Sequence, residues 1–595
     1  MKVLTDGLAL ALLLGLWPTA SPAQHLGHLG HSSGGPGNSP CELKDGRWKA
    51  PIGLLPDIGS LNHPVGIQKG KEKAQAFFNQ GLTLFYSFDG EGAMRSFHQA
   101  SEIDPDLAMA HWGVALAAGG DLNIPVDDPC LMLAVSESKK AVALLPKTQM
   151  KSDRDYVSAL AKRYDADAPD DAPRDPRGLE LQYMLAMRKV YEDWVKTDPD
   201  SATLYAGALL NLRPWFWWDN SGRDSAEAKA AIKVLKDSLG LPHYLSHIGL
   251  NHYLIHALEE APPPTELSPA LQAAIRLRGL APAAAPHLVH MPSHIFFLAG
   301  DYENVIMSNR QAIDSDERWI KDCDVTKICN KTLIGHYHSH DLLFLAVGYA
   351  NRGVWSEVKS ISDRLEQNAS KYLEEEAGLE RYLTTRALMM VRFGKWAEIR
   401  AAQPPEKVPD NFLSCEELPR KLAAAAWYYA KASAFTMPSS PAGVAEVYLQ
   451  RFVKAKQCVQ SAAIGWGNNT AADILDITHW VLLQRMARSR KAWEEGKWYA
   501  LLAVETEDLL TYDEPPGWYT PARESLGAAQ FQAGNYQGAL VSFDQELQRH
   551  PNSSRSLYGR FKCLEKLRPS EAAKAKEAFD KQWTPGEPMP DLNDM

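Results

Sequence analysis

Segments that alternate apolar and polar residues, the mark of half-buried strands, are nearly missing from this 595-residue chain. Their scarcity excludes a sandwich or a barrel. Basic charge is in deficit as well: 63 Lys plus Arg against 73 Asp plus Glu leave a net charge of −10. That balance argues against a nucleic-acid binder, whose contact face is basic. After the first residues, no run approaches the roughly 18 apolar residues of a membrane span. Cysteine is scarce, with 7 in the chain, and an odd count leaves at least one unpaired within it. Three chemical signatures are also absent. There is no Cys-x-x-Cys pair, no Gly-x-Ser-x-Gly elbow ahead of a helix, and no His-Glu-x-x-His, because Tyr253 follows His252.

The composition that remains, 45% hydrophobic and 23% charged, belongs to a folded chain. Lys2, the apolar stretch Leu8 to Trp17 and the small residues Ser21 and Ala23 read as a signal peptide over 1–23. The expected location is therefore secreted or periplasmic. Cys323 and Cys329, six residues apart in a polar stretch, are the local disulfide candidate in such a compartment. Residues 24–67, rich in Gly, Pro and His at their start (His25, His28, His31), are expected to form a flexible leader.

From 68 onward amphipathic helical patterns alternate with short Gly or Pro breaks, which predicts an all-α fold. Two stretches carry the small-residue code of the 34-residue helix-turn-helix (tetratricopeptide) unit. One has Gly81, Ala93, Phe97, Ala100 and Pro105, and the other Gly527, Ala539, Phe543 and Pro551. Ala299-Gly300-Asp301-Tyr302 aligns with Ala533-Gly534-Asn535-Tyr536, and Gly353, Gly394 and Gly496, each followed two residues on by Trp, mark further hairpin tips. The first and last units are out of 34-residue phase, so an interrupted array forming a compact α-solenoid is expected. Its parts are a repeat-like region over 68–240, His-rich hairpins over 241–345, a second repeat-like region over 346–580, and a tail over 581–595.

Ten of the 18 histidines fall between His243 and His340. His252 and His256 are four apart and share a helix face, with His247 opening the segment and Glu259 following. His290 and His294 repeat the spacing, with His287 just before them and Pro292 between them kinking or starting a helix. His340 begins a further apolar helix, preceded by His336 and His338. Imidazole pairs one turn apart suit a transition metal. The candidate ligands are His252, His256, His290, His294, His340 and His247, with copper favoured over iron or zinc. Trp215, Trp217 and Trp218, in the run Arg213 to Asn220, are the candidate substrate wall, with Glu259 at the site's edge.

Four stretches together resemble a large, little-characterised family of tetratricopeptide-domain proteins in bacteria and some eukaryotes. They are AFFNQGLTLFYSFDGEGAMRSFHQASEIDPDLAMAHWGVAL, HIGLNHYLIHALE, HLVHMPSHIFFLAGDY and YDEPPGWYTPARESLGAAQFQAGNYQGAL. The resemblance implies a helical-repeat fold and histidines at the positions of His252, His256, His290, His294 and His340. A further family histidine, three residues past His340, is Leu343 here. It implies no activity. Two functional readings follow: a metal-dependent oxidoreductase acting on a small molecule or peptide, and a non-catalytic scaffold that grips a peptide or partner protein.

Overall fold

The computed structural model describes residues 39–42, 46–166, 175–261, 268–326, 333–374, 376–437 and 440–595. The signal peptide and the start of the leader lie outside them, as do the side chains of Cys323 and Cys329 and most of the Pro/Asp-rich loop that starts at Asp165. Among the described residues the chain is helical nearly throughout. Its strands are one hairpin, Gly465–Trp466 with Asn469–Thr470. Successive helices pack as antiparallel neighbours, from Lys73–Tyr86 with Gly90–Ile103 to Ser554–Leu567 with Pro569–Gln582. The fold is all-α, built of helical hairpins.

The small residues of the repeat code explain this packing. A Cβ on Gly81 would stand 2.8 Å from the ring of Phe97, and one on Gly113 would overlap the same ring. Phe97 is thus held between the helix before it and the helix after it. Phe543 sits in the same way between Gly527 and Gly559. At the hairpin tips Gly300, Gly353, Gly394 and Gly534 have φ of +69°, +78°, +60° and +80°, a left-handed conformation that favours glycine. Gly496 is different. It lies inside the helix Trp493–Asp508, and the tip falls at Lys491, φ +60°.

Two ends of the chain are more ordered than the composition suggests. The leader is not flexible over its second half: Cys41 is disulfide-bonded to Cys130, and Trp48, Ile52, His63 and Val65 are buried. Compositional bias covers only its beginning, whereas 46–67 carries the apolar residues that dock. Residues 581–595 are not a loose tail either, since Leu592 and Met595 are buried. One apolar core runs from Cys41 to Ala529, across the boundaries drawn at 240 and 345. A second disulfide joins Cys415 to Cys458, and Cys563 is a buried thiol that burial pushes up to about 12. No helix among the described residues is long and apolar enough to cross a membrane.

Candidate metal centre

Three helical segments deliver the histidines. The helix Ile248–Glu259 starts at His247, whose ring Nδ1 accepts from the Leu250 N–H. From that start His252 and His256 project on one face. The second segment is broken by Pro292 into Pro286–His290 and Pro292–Leu298, with Met291 between them. The proline both interrupts one helix and starts the next. The third, His338–Asn351, carries His340 and Asp341 in its first turn.

These segments form two adjacent buried triads. The ligand-capable atoms of His252, His256 and His287 lie within 4.8 Å of one another, and so do those of His290, His294 and His340. The rings of His287 and His290, one from each triad, stack at 6.2 Å. A phenylalanine covers each triad. Phe88 lies 4.8–5.2 Å from the three rings of the first, and Phe344 4.7–5.0 Å from those of the second. Phe88 adopts φ +53°, a left-handed backbone that a bulky residue takes only where the surroundings hold it.

Glu259 links the triads. Its Oε1 accepts from His256 Nδ1 at 2.6 Å, and its Oε2 stands 2.7 Å from His294 Nδ1. His290 Nδ1 faces Asp341 at 2.9 Å and Asn309 Oδ1 at 2.7 Å. The Asn309 amide is oriented by its own donation to the Val305 carbonyl. Each of these partners is an acceptor, so each Nδ1 carries the hydrogen, and each Nε2 is a lone pair whenever its ring is neutral. Yet Nε2 of His290 and Nε2 of His294 stand 2.8 Å apart. Two lone pairs at that distance repel unless a proton or a metal ion lies between them. In the first triad, Nε2 of His252 and Nε2 of His287 are 3.2 Å apart. Two imidazoles sharing an ion at about 2.0–2.1 Å place their nitrogens about 2.8–3.4 Å apart.

The electrostatics of the triads differ. Burial, reinforced by neighbouring histidines, holds His252 and His287 well below the usual imidazole range. Burial also opposes charge on His294, but the Glu259 carboxylate overrides it and raises that ring to about 10. Burial would likewise raise Glu259, and His256 and His294 instead hold it well below the ordinary carboxylate range. Glu514 reaches the same spot from a distant loop, 3.5 Å from His294 Nδ1, and accepts from the Tyr512 hydroxyl. Burial raises Glu514.

The residues expected in the site divide as follows. His252, His256, His290, His294 and His340 come together, and Glu259 lies at the centre and not at the edge. His247 does not join them: its Nε2 sits on Asp200 at 3.1 Å, and its other nitrogen caps its own helix. It belongs to a separate buried network. There Asp200 also holds Tyr86 and His63, and raises His63 to about 9 against the burial that would lower it. Trp215 stands edge-on to His256 at 6.1 Å. Trp217 packs behind it at 4.9 Å with its N–H on the Leu210 carbonyl, and Trp218 donates to the Ala257 carbonyl. Only Trp215 of the three therefore faces the histidines. His287, Glu514, Asp341 and Phe88 were not anticipated as site residues.

No family model matches the chain, and no curated protein matches it. Among solved structures it is similar to yeast Tom70, at 11% identity over 86% of this chain and 100% of that one, TM-score 0.26. It is also similar to the P58(IPK) TPR domain, at 12% identity over 84% and 99%, TM-score 0.18. At such scores these likenesses carry no argument; the fold rests on the hairpins themselves.

Proposed function

We propose that the two triads hold a pair of transition-metal ions, and that the protein is a metal-dependent oxidoreductase acting on a small molecule or peptide. The observation that carries this reading is the 2.8 Å approach of two histidine nitrogens whose opposite ring atoms both face acceptors. His252, His256 and His287 would hold one ion, and His290, His294 and His340 the other. Six imidazoles without a thiolate favour copper, which leads the affinity order of divalent ions, over iron or zinc. Copper or iron bound there would supply one-electron exchange and reactivity toward dioxygen. The chain's own part is to fix His256, His290 and His294 through Glu259, Asp341 and Asn309. Phe88 and Phe344 keep water from the rings, and Trp215 offers an apolar wall to a substrate. A secreted or periplasmic location accords with two disulfides, which persist in oxidising compartments.

The test is metal analysis of the purified chain and of the double variant His252→Ala/His294→Ala. Metal content is expected to fall to background while helicity by circular dichroism stays within about a tenth of the parent. Stoichiometric metal in the double variant defeats the proposal. A second reading, a scaffold for a partner segment, is favoured by a cavity among the later hairpins. It is lined by Trp355, Arg392, Phe393 and Arg555 and lies away from the histidines.

A further inference from the structure

Residues 583–595 cross the later hairpins as a non-helical strap with turns at Pro585–Gly586 and Leu592–Asn593. At one end Trp583 lies where a Cβ on Gly353 would be, and the Thr584 N–H donates to the Arg352 carbonyl at 2.9 Å. At the other end the Asp594 carboxylate occupies the space beside Gly394 and accepts from the Trp396 indole N–H at 2.7 Å. Thus two of the hairpin tips marked by Gly-x-Trp, at Gly353 and Gly394, receive the strap. Around that second end the hold is on main-chain oxygens from Leu592 to Met595. Arg485 donates to Asp594 O at 2.6 Å, Arg488 to Met595 O at 2.5 Å, and Gln532 to Leu592 O at 3.1 Å. Contacts of this kind read the turn Asp591 to Asp594 through its carbonyls, together with the Asp594 carboxylate and the buried side chains of Leu592 and Met595.

The strap leaves the site incompletely used. Beneath it lies the cavity of Gly353, Trp355, Arg392, Phe393, Lys395 and Arg555. Arg555, which lines it, is buried, and its Nη2 has no hydrogen-bond partner. A buried donor without an acceptor is costly, so a ligand that fills the cavity and supplies a further acceptor gains on the strap. The strap sequence, TPGEPMPDLNDM over 584–595, has three prolines, which restrict its backbone before it docks.

We propose that residues 583–595 are the built-in occupant of a peptide channel, and that a segment of a partner protein with the same turn and an aspartate at the Asp594 position takes their place. This rests on the scaffold reading and not on the histidines. The test is therefore run with metal removed by chelation, so that failure of the metal centre leaves it unaffected.

The probe is a fluorescent peptide of residues 584–595, titrated by anisotropy against the full-length chain. In the parent the tethered strap competes at an effective concentration of order millimolar, so the peptide binds weakly. Asp594→Lys places a cation beside Arg485 and Arg488 and frees the channel, and the peptide should bind at least tenfold tighter. Adding Arg488→Glu should remove that gain, and so should an Asp-to-Asn change at the 594 position of the peptide. Should Asp594→Lys lose helicity, Asp594→Asn in the chain, which weakens the strap's acceptor for the Trp396 indole N–H and leaves the channel intact, should give a smaller increase of the same sign. No gain in either opened variant, or a gain that survives Arg488→Glu, overturns the proposal.

Discussion

Glu259 is a single carboxylate placed between two imidazoles, one from each triad, at 2.6 and 2.7 Å. Its charge keeps both Nδ1 atoms protonated and thereby aims both Nε2 lone pairs into the centre. Glu259→Gln conserves the shape but replaces one acceptor oxygen with an N–H₂ donor, which must then face a ring N–H. Loss of a group that orients a ligating histidine typically costs 10–100-fold in metal affinity, about what is expected here. Chelator competition on the folded variant measures it, and an unchanged affinity would show that Glu259 has no part in holding the site. The same scale shows why the site was only partly legible in the sequence. Four-residue spacing identifies His252 with His256 and His290 with His294, because helix geometry puts such pairs on one face. It has no means of finding Glu514, more than 200 residues from His294, which arrives on a loop. His287 is separated from its partners by the chain between two helices. His247 shows the converse error, since proximity along the chain placed it with the ligands while its ring turns to Asp200.

At the level of elements, the repeat hairpins were readable because their code is steric. A glycine opposite a phenylalanine states how closely two helices approach, and both Gly81/Phe97 and Gly527/Phe543 make that contact. The tip at Gly496 was misplaced because Gly-Lys-Trp carries the same residue types as a true tip. There the chain reverses at Lys491 instead, and a tryptophan begins the next helix. The steric code makes a direct prediction. Gly81→Ala puts a methyl 2.8 Å from Phe97, a ring that Gly113 already confines from its other side. Overpacking of this sort costs about 1–3 kcal/mol. A lower denaturation midpoint with an unchanged slope is the expected result. A midpoint equal to the parent's would mean that the ring has room the packing denies it.

Over the whole molecule, the interruptions in the repeat array are where the polar chemistry lies. The regular units at each end bury alanine, glycine and phenylalanine, whereas the hairpins between them bury ten or more ionisable side chains around the triads and Asp200. Burying so many polar groups is unfavourable unless each is satisfied; the network through Glu259, Asp341, Asn309 and Asp200 satisfies part of them, while Nδ1 of His287 has no hydrogen-bond partner. The core remains continuous around that network, and the Cys41–Cys130 and Cys415–Cys458 bridges close loops on either side of it. On the proposed function, such an interior holds cations at fixed positions. The most direct measurement is a copper titration of the metal-stripped full-length chain, with bound ion counted by elemental analysis and its ligands read by X-ray absorption. Two ions per chain in an all-nitrogen-and-oxygen shell, with metal–nitrogen distances near 2.0 Å, is the predicted result. Binding below half an ion per chain, or a shell containing sulfur, would contradict it.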